Sequence, residues 1–368
     1  MGQKTGTGAW ACSLWVLLFF YGCAGAPPAG NDVSTPAPGV PAAGGTSAVD
    51  GGAAKPAWVD SPDAVYNRNA YVAGVGFGKD RPSAEQSALA ALSSIFRQSL
   101  QADQTISSSY QEAVKNGVTV NWTENTSVEN AIKTSTAMEL MGAEIRDTWN
   151  DGGTFYAVAV MEKERTARLY TQMVQDNLRI IASLVDIPPA SRNSMDSLAR
   201  FQFAGAIAEA NQVFSTVLSV IGAPVPAGLQ RPEDYRLEAS NIIKNIPVLV
   251  TVENDRDNRI RGAFASAFSS AGFRTGGTNS RYQLQARISL SEVELPNQTN
   301  KFVRYSIEGN FVDTTTANIL FPYSIVGREG HPILSEAEAR AVRAAESKIK
   351  EEYTGALSAY LSQLIPQK

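Results

Sequence analysis

The feature that most constrains this chain is a short apolar run near its start that ends at a cysteine. Residues 14–21 are all apolar, Gly22 and Cys23 follow, and residues 1–13 carry one base, Lys4, and no acid. A basic start, a short apolar stretch and a small residue before the cut predict a secretory signal peptide over residues 1–22. The run is too short for a membrane-spanning helix, which needs about 20 apolar residues.

Cys23 is the predicted lipid-attachment residue. Cleavage before this cysteine, with a diacylglycerol group on its sulfur, would hold the chain at a membrane surface. Among the preceding residues only Gly22 fits the usual lipoprotein pattern, because Phe20 and Tyr21 are bulky. Ordinary signal-peptidase cleavage after Ala24 is the alternative. Since Ala24 rather than an aspartate follows the cysteine, the enteric sorting rule favours the outer membrane, with the protein facing the periplasm.

Residues 23–55 predict a lipidated, flexible tether. They consist mainly of Ala, Pro, Gly, Ser and Thr, and only Asp32, Asp50 and Lys55 are charged. This composition cannot bury a hydrophobic core. The folded part of the chain is therefore predicted to begin at about residue 56.

The scarcity of cysteine and histidine limits the chemistry that the folded part can perform. The only cysteines are Cys12 and Cys23, and His331 is the only histidine. A disulfide framework or a thiol nucleophile is therefore excluded there, and a zinc-type site is nearly excluded. His331 lies in a turn-like Arg-Glu-Gly-His-Pro stretch and is predicted to be a solvent-exposed loop residue. We predict no catalytic residue, no cofactor and no metal, and the net charge of −4 argues against a nucleic-acid partner.

The hydrophobic periodicity predicts an α+β fold with two small α/β units joined by a helical hairpin. Each unit is predicted to have an antiparallel or mixed sheet with helices packed on one face. The predicted boundaries are residues 56–165 for the first unit, 166–230 for the hairpin and 231–368 for the C-terminal α/β domain. In the first unit, a strand over residues 70–78 precedes a helix whose predicted capping box is Ser83 with Gln86. A turn at residues 150–153 predicts a β-hairpin.

In the C-terminal unit, the pattern predicts a strand, a helix, three alternating strands and a last helix that Ser335 caps. The predicted ranges are 246–252, 257–271, 282–295, 302–313, 319–326 and 335–364.

The predicted hairpin carries an apolar stripe on each helix. The stripes comprise Leu169, Met173, Leu178 and Ile181 on the first helix and Phe201, Phe214 and Val217 on the second. Such a stripe must be covered, either inside the protein or by a partner. The sequence leaves both possibilities open.

Three motifs resemble functional sites, and each is more simply interpreted as structural. Gly74, Gly76 and Gly78 lack the spacing of a dinucleotide or P-loop motif, which favours a tight strand-to-helix passage. Residues 255–261 are rich in charge and favour a solvated helix start capped by Asp257, although phosphate or peptidoglycan binding is an alternative. Glu292 and Glu294 share one strand and therefore favour rim charges over a glycosidase pair.

Several of these stretches together resemble the Lpp-twenty lipoprotein family, of the Helicobacter antigen type. They are Pro-Ala-Trp at 56–58, the glycine-rich strand end at 74–78 with its Ala-rich helix, and residues 141–157. The resemblance covers residues 56–165. Residues 246–364, with the Ala-Gly-Phe step at 271–273, are similar to the α/β domains of the flagellar T-ring protein FlgT and of envelope lipoproteins that activate peptidoglycan synthases.

These resemblances imply a non-catalytic, lipid-anchored envelope protein. It would act by protein–protein contacts as a structural or assembly factor, with a flagellar or peptidoglycan-associated role. One alternative is a periplasmic lipoprotein that binds a small ligand or glycan in a cleft between the two units. Another is a hydrolase that uses carboxylates alone.

Overall fold

The structure, a computed structural model, describes residues 54–97, 99, 140–296, 299–364 and 366. The predicted signal peptide, Cys23 and the predicted tether up to residue 53 lie outside the described residues. The first part of the chain forms α1 and α2, then β1, α3, β2 and β3. The helices are α1 (Ala57–Asp60), α2 (Pro62–Val65) and α3 (Arg81–Arg97), and the strands are β1 (Tyr71–Gly78), β2 (Ala143–Asn150) and β3 (Phe155–Glu162).

The three strands form an antiparallel sheet in the order β1-β3-β2, with α3 on one face and α1 on the other. The predicted hairpin turn is confirmed, since β2 and β3 are joined there. The side chain of Asp151 accepts hydrogen bonds from the backbone N–H groups of Gly153 and Thr154 at 3.0 and 2.7 Å. These bonds hold the pKa of Asp151 below its usual value, because they favour the charged carboxylate.

The three glycines of β1 lie on the face that packs against α3. A β-carbon on Gly76 would lie 2.0 Å from the backbone nitrogen of Ala88, and one on Gly74 would lie 2.4 Å from that of Leu92. A β-carbon on Gly78 would lie 2.7 Å from the backbone nitrogen of Ala84. Two strand residues advance by about 6.6 Å and four helical residues by about 6 Å, so the two rows stay in step. The predicted role at a tight strand-to-helix passage is confirmed, since only two residues separate β1 from α3. The glycines in addition let the helix backbone contact the strand backbone.

Helix α3 begins earlier than the sequence predicts. Its first residue is Arg81, and the side chain of Asp80 accepts a hydrogen bond from the backbone N–H of Ser83 at 2.8 Å. The predicted capping box of Ser83 with Gln86 is therefore wrong, because Asp80 occupies the capping position, three residues before Ser83. Hydrogen bonds from Ser83 also lower the pKa of Asp80.

Three further helices follow the small sheet. Helix α4 spans Lys163–Val185, α5 spans Met195–Val220 and α6 spans Pro232–Lys244, with a 3₁₀ turn at Pro189–Ser191. The predicted antiparallel pair is confirmed as α4 and α5, whereas α6 was not predicted. It packs on α5 through Tyr235, Ala239 and Ile242, and its Arg236 pairs with the buried Glu209 of α5.

The seam between α4 and α5 is internal. Phe214 is fully buried and meets Tyr170 edge to face, with ring centroids 5.5 Å apart. The predicted stripe of α5 is confirmed, since Phe201 and Val217 are also buried. The predicted stripe of α4 is wrong in part: Leu169 is 40% exposed, whereas its neighbour Tyr170 is buried. The buried positions of α4 include polar residues that a hydrophobic pattern does not count, as the full set shows: Thr166, Tyr170, Val174, Asn177, Ile180, Ile181 and Leu184.

The C-terminal part builds a five-stranded mixed sheet. Its strands are β4 (Pro247–Glu253), β5 (Arg274–Thr275), β6 (Tyr282–Val293), β7 (Lys301–Asp313) and β8 (Asn318–His331). Helix α7 (Arg259–Ser270) follows β4, and β8 is followed by α8 (Leu334–Lys348), a π-helical turn (Ile349–Tyr353) and α9 (Thr354–Ser362). The strand order is β5-β4-β6-β7-β8. Strand β4 is parallel to both of its neighbours, and the other pairs are antiparallel. The α+β class with a mixed sheet is confirmed.

Two predicted caps in this part are wrong. Helix α8 begins at Leu334, before Ser335, with Ile333 at the cap position and no side-chain cap. Helix α7 follows Asn258 in a left-handed conformation, and the side chain of Asp255 rather than Asp257 accepts from the N–H of Arg261, at 2.8 Å. Because Asn258 turns the chain just before α7, the carboxylate that bonds to the first turn of this helix belongs to Asp255, two residues before Asp257.

One contiguous hydrophobic core runs from α3 through the α4–α5 pair to the helices of the larger sheet. At the junction the backbone N–H of Met195 donates to the Tyr282 hydroxyl at 3.0 Å. Tyr282 also lies beneath the Arg281 guanidinium, which pairs with the nearly buried Asp313. Among the described helices, none combines the length and the apolar character needed to cross a membrane.

Candidate functional site

A row of aromatic side chains crosses the outer face of the small sheet. Phe77 of β1 is opposite Tyr156 of β3, which is opposite Trp149 of β2. The rings of Trp149 and Tyr156 are in contact, with centroids 5.4 Å apart. Phe77 is 69% exposed, and the other two are half-buried. We call Phe77, Tyr156 and Trp149 the aromatic row.

The strand period places the row on this face. Side chains alternate along a strand, so Phe77 points away from α3 because Gly76 and Gly78 point toward it. On β2 an irregularity between Ile145 and Asp147 sets the register that brings Trp149 opposite Tyr156. The row is therefore held by strand pairing rather than by a loop.

Helices α1 and α2 cover only the end of this face that is distant from Phe77. Trp58 is 3% exposed, packs against Val158 and Val160, and donates from Nε1 to Asp147 at 2.9 Å. Burial beside this cluster raises the pKa of the Tyr66 hydroxyl. The half of the face that carries Phe77 has no such cover among the described residues, since Phe77 keeps most of its surface exposed.

The charge-rich motif at residues 255–261 lines a cleft of 670 Å³ at the carboxyl end of β4. Arg256 and Asp257 face it from the loop, and Glu338 and Arg343 from α8. Arg259 forms an ion pair with Glu346 at 2.6 Å. Hydrogen bonds from Lys350 and Arg259 lower the pKa of the Glu346 carboxyl. Cations and anions alternate around the cleft, which gives it no strong field of one sign for a phosphate.

The remaining residues singled out in the sequence are dispersed. Glu292 pairs with Lys301 at 3.0 Å, which confirms it as a rim charge at the end of β6. His331 is not a loop residue as predicted: it is the last residue of β8, opposite Lys301, and its Nδ1 accepts from the N–H of Ile333 at 3.2 Å. Within the described ranges, no group of three or more His, Cys, Asp or Glu side chains is placed to hold a metal ion.

Residues 56–162 match the LPP20 lipoprotein family. This match confirms the family resemblance that the sequence predicts for this part of the chain, and it includes the whole aromatic row. It supports a lipoprotein of the cell envelope. The predicted likeness of residues 246–364 to FlgT stays a prediction.

The chain also matches solved structures at low identity and low TM-score. The secreted protein HP1454 of Helicobacter pylori is 15% identical with a TM-score of 0.39, over 80% of this chain and 98% of its own. A minor lipoprotein of Acinetobacter baumannii is 12% identical with a TM-score of 0.26, over 31% and 93%. Lipoprotein GNA1162 of Neisseria meningitidis is 16% identical with a TM-score of 0.19, over 27% and 98%. No curated protein matches the sequence.

Sequence reasoning missed the aromatic row. The signal was present in the alternation of β1, where glycines on one face leave Val75 and Phe77 on the other. The row itself could not be inferred, because Trp149 and Tyr156 lie 72 and 79 residues further along the chain than Phe77.

Proposed function

We propose that this protein is anchored in the cell envelope by a lipid on Cys23 and acts by binding other envelope proteins, without catalysing a reaction. The observation that carries the proposal is the exposed aromatic row within the LPP20-matched part. The match supports the envelope location, and the row supplies a surface suited to protein contact.

Aromatic side chains are enriched at protein interfaces because they bury a large area at low entropic cost. Single exposed apolar side chains are common, but a cluster of them marks a contact surface, and Phe77, with 69% of its surface exposed, lies in such a cluster. Phe77, Tyr156 and Trp149 come from three strands of a hydrogen-bonded sheet. The row is thus preorganised, which reduces the cost of binding. The partner we propose is an envelope protein that presents apolar side chains to this row.

The anchor is tested by Cys23→Ala. The variant should lose labelling with a radioactive fatty acid and leave the detergent phase in a Triton X-114 partition, because no other cysteine follows residue 23. Cys12→Ala is the matched control and should label like the wild-type protein. Persistent labelling of the Cys23→Ala protein would remove the lipid from the proposal.

The contact surface is tested by Phe77→Ser. Because Phe77 is largely exposed, the substitution should change the free energy of unfolding by less than about 1 kcal/mol, as surface changes do. Binding to a cognate envelope protein should weaken at least tenfold, since a central aromatic contact contributes about 2 kcal/mol or more. Leu237→Ser is the control, because Leu237 is 63% exposed and lies on α6 rather than on the small sheet. Equal effects of the two variants on co-purification would argue against the row as the interface.

A further inference from the structure

The larger sheet ends on one side in a long edge strand. Strand β8 pairs with β7, and no other strand among the described residues pairs with its second side. An edge strand presents a row of backbone N–H and C=O groups that can pair with another chain. The opposite edge, β5, has two residues, whereas β8 has 14. The two edges of this sheet therefore differ greatly in what they offer to a partner.

The two halves of β8 are not equally suited to pairing with a further strand. A register shift against β7 leaves Leu320 as an extra residue between Ile319 and Phe321, and Pro322 follows. A bulge bends the strand and a proline has no N–H to donate, so both features protect an edge. Residues 323–331 contain no proline, and their register with β7 is continuous. We call residues 323–331 the β8 edge.

Two arginines lie side by side at the β8 edge. Arg328 is directly opposite Arg304 of β7, and both side chains are exposed. Arg304 alternates with the buried Val303 and Tyr305, so the arginine pair lies on the face of the sheet opposite to the helices. Like charges directly opposite each other destabilise a sheet. The pair therefore favours the approach of a negative charge.

The neighbouring positions on this face do not supply that charge. Across β6, Arg304 is opposite Ser291, and the next residue of β7 on the same face is Ser306. On β8 the next residue of this face is Val326, which is opposite Ser306. The position that remains for an acidic side chain is beside Arg328, on a sixth strand.

Apolar surface flanks the arginine pair along the β8 edge. On one side, Val326 is 45% exposed. On the other side, the Phe302 ring covers Gly330, because a β-carbon on this glycine would lie 2.6 Å from the Cε1 atom of the ring. The Arg328 guanidinium lies 5.4 Å from the centroid of the same ring. The edge thus presents an apolar, a cationic and an apolar position at intervals of two residues, which is the period of a strand.

We infer that the β8 edge binds an extended segment of another protein, which adds to β8 as a sixth strand and places an acidic side chain beside Arg328, between apolar side chains. Backbone hydrogen bonds supply the affinity of such a complex, and the side chains of alternate residues supply its specificity. The charge-assisted contact with the arginine pair selects the acid. This surface is separate from the aromatic row, and the inference does not depend on the row.

A second copy of this chain fits the β8 edge less well. Two copies of β8 paired by two-fold symmetry share the same face of the joined sheet. The acid of this edge is Glu329, which alternates with Arg328 and therefore lies on the other face. Self-pairing would leave the two arginines of each copy without a counter-charge.

The test is fluorescence polarisation of a labelled peptide, Thr-Val-Thr-Asp-Thr-Val-Thr-Val-Thr, titrated with the full-length protein in detergent micelles. Its aspartate and valines share one face of an extended strand. Saturable binding is expected, and a peptide with lysine in place of the aspartate should bind about tenfold more weakly or worse, because it brings like charges together. Arg328→Glu should reverse this preference. Arg274→Glu, an equal change of charge on the exposed side of β5, should keep it.

Arg328→Glu should also fold like the wild-type protein, because it replaces two opposed like charges by an opposite pair; urea unfolding measures this. Strand addition is tested by methylating the peptide nitrogens of alternate residues. One set of methyl groups should abolish binding and the other should spare it, because alternate residues of a strand direct their N–H groups to the neighbouring strand.

Three results would overturn the inference: no saturable binding by the wild-type protein, an unchanged preference in Arg328→Glu, or equal effects of the two sets of methyl groups. Dimers of the wild-type protein that Arg328→Glu dissociates would overturn it as well, since a second copy would then occupy the β8 edge.

Discussion

Gly76→Ala is expected to lower the free energy of unfolding by more than about 3 kcal/mol, the upper end of what overpacking a core usually costs. The added carbon would lie 2.0 Å from the backbone nitrogen of Ala88 and 2.4 Å from the carbonyl carbon of Ser87. A helix backbone cannot move aside as a side chain does, so α3 would have to separate from β1. Urea unfolding followed by circular dichroism measures the loss.

The matched control is Gly262→Ala in α7. There a β-carbon would meet no described atom within 4 Å, and the residue lies inside a helix. The substitution should raise stability by up to about 1 kcal/mol, because alanine favours the helix over glycine. If Gly76→Ala were as harmless as Gly262→Ala, β1 and α3 could not be in backbone contact.

Phe214→Asp is expected to prevent folding, with a loss of more than about 4 kcal/mol. Removing a buried phenylalanine alone costs about 3–5 kcal/mol, and the new carboxylate would be left without a partner in an apolar seam. Phe214 is fully buried against Tyr170, so an aspartate at this position could not reach solvent by a change of side-chain conformation. The readout is the soluble yield together with urea unfolding.

Leu169→Asp is the control for the α4–α5 seam. The sequence pattern places Leu169 in the same stripe, but the side chain is 40% exposed, and the change should alter stability by no more than about 0.5 kcal/mol. A stable Phe214→Asp protein, or a Leu169→Asp protein that fails to fold, would show that the seam faces another direction.

Periodicity was sufficient where one face of an element is apolar throughout. Strand β6 alternates as predicted over its first part, with Leu284, Ala286 and Ile288 buried and Gln285 and Arg287 exposed. The same alternation predicts a buried Leu290, which is wrong, because this side chain is 40% exposed. In such elements the burial of side chains follows directly from the strand period, so that the sequence alone identifies the core face.

Periodicity failed where polar residues occupy the core or where burial is weak. On α4 the buried side includes Thr166 and Asn177, which a hydrophobic pattern does not count, and this displaced the predicted stripe. Helix α6 was missed because its apolar residues do not form a single stripe. Leu237 is 63% exposed, whereas Ile242 is buried.

The candidate site depended on contacts that a single sequence does not contain. The glycines of β1 were recognised as structural, but their role required the position of α3. The aromatic row required the register of three strands, because Phe77 meets Tyr156 and Trp149 only after pairing.

The central claim is that the aromatic row contacts an envelope protein. It is tested most directly by placing the photo-crosslinking residue benzoyl-phenylalanine at position 77, or at position 237 as the control, in the lipidated protein in intact cells. The account predicts a discrete adduct from position 77, which mass spectrometry identifies as an envelope protein, and none from position 237. No adduct from position 77, or the same adducts from both positions, would contradict it.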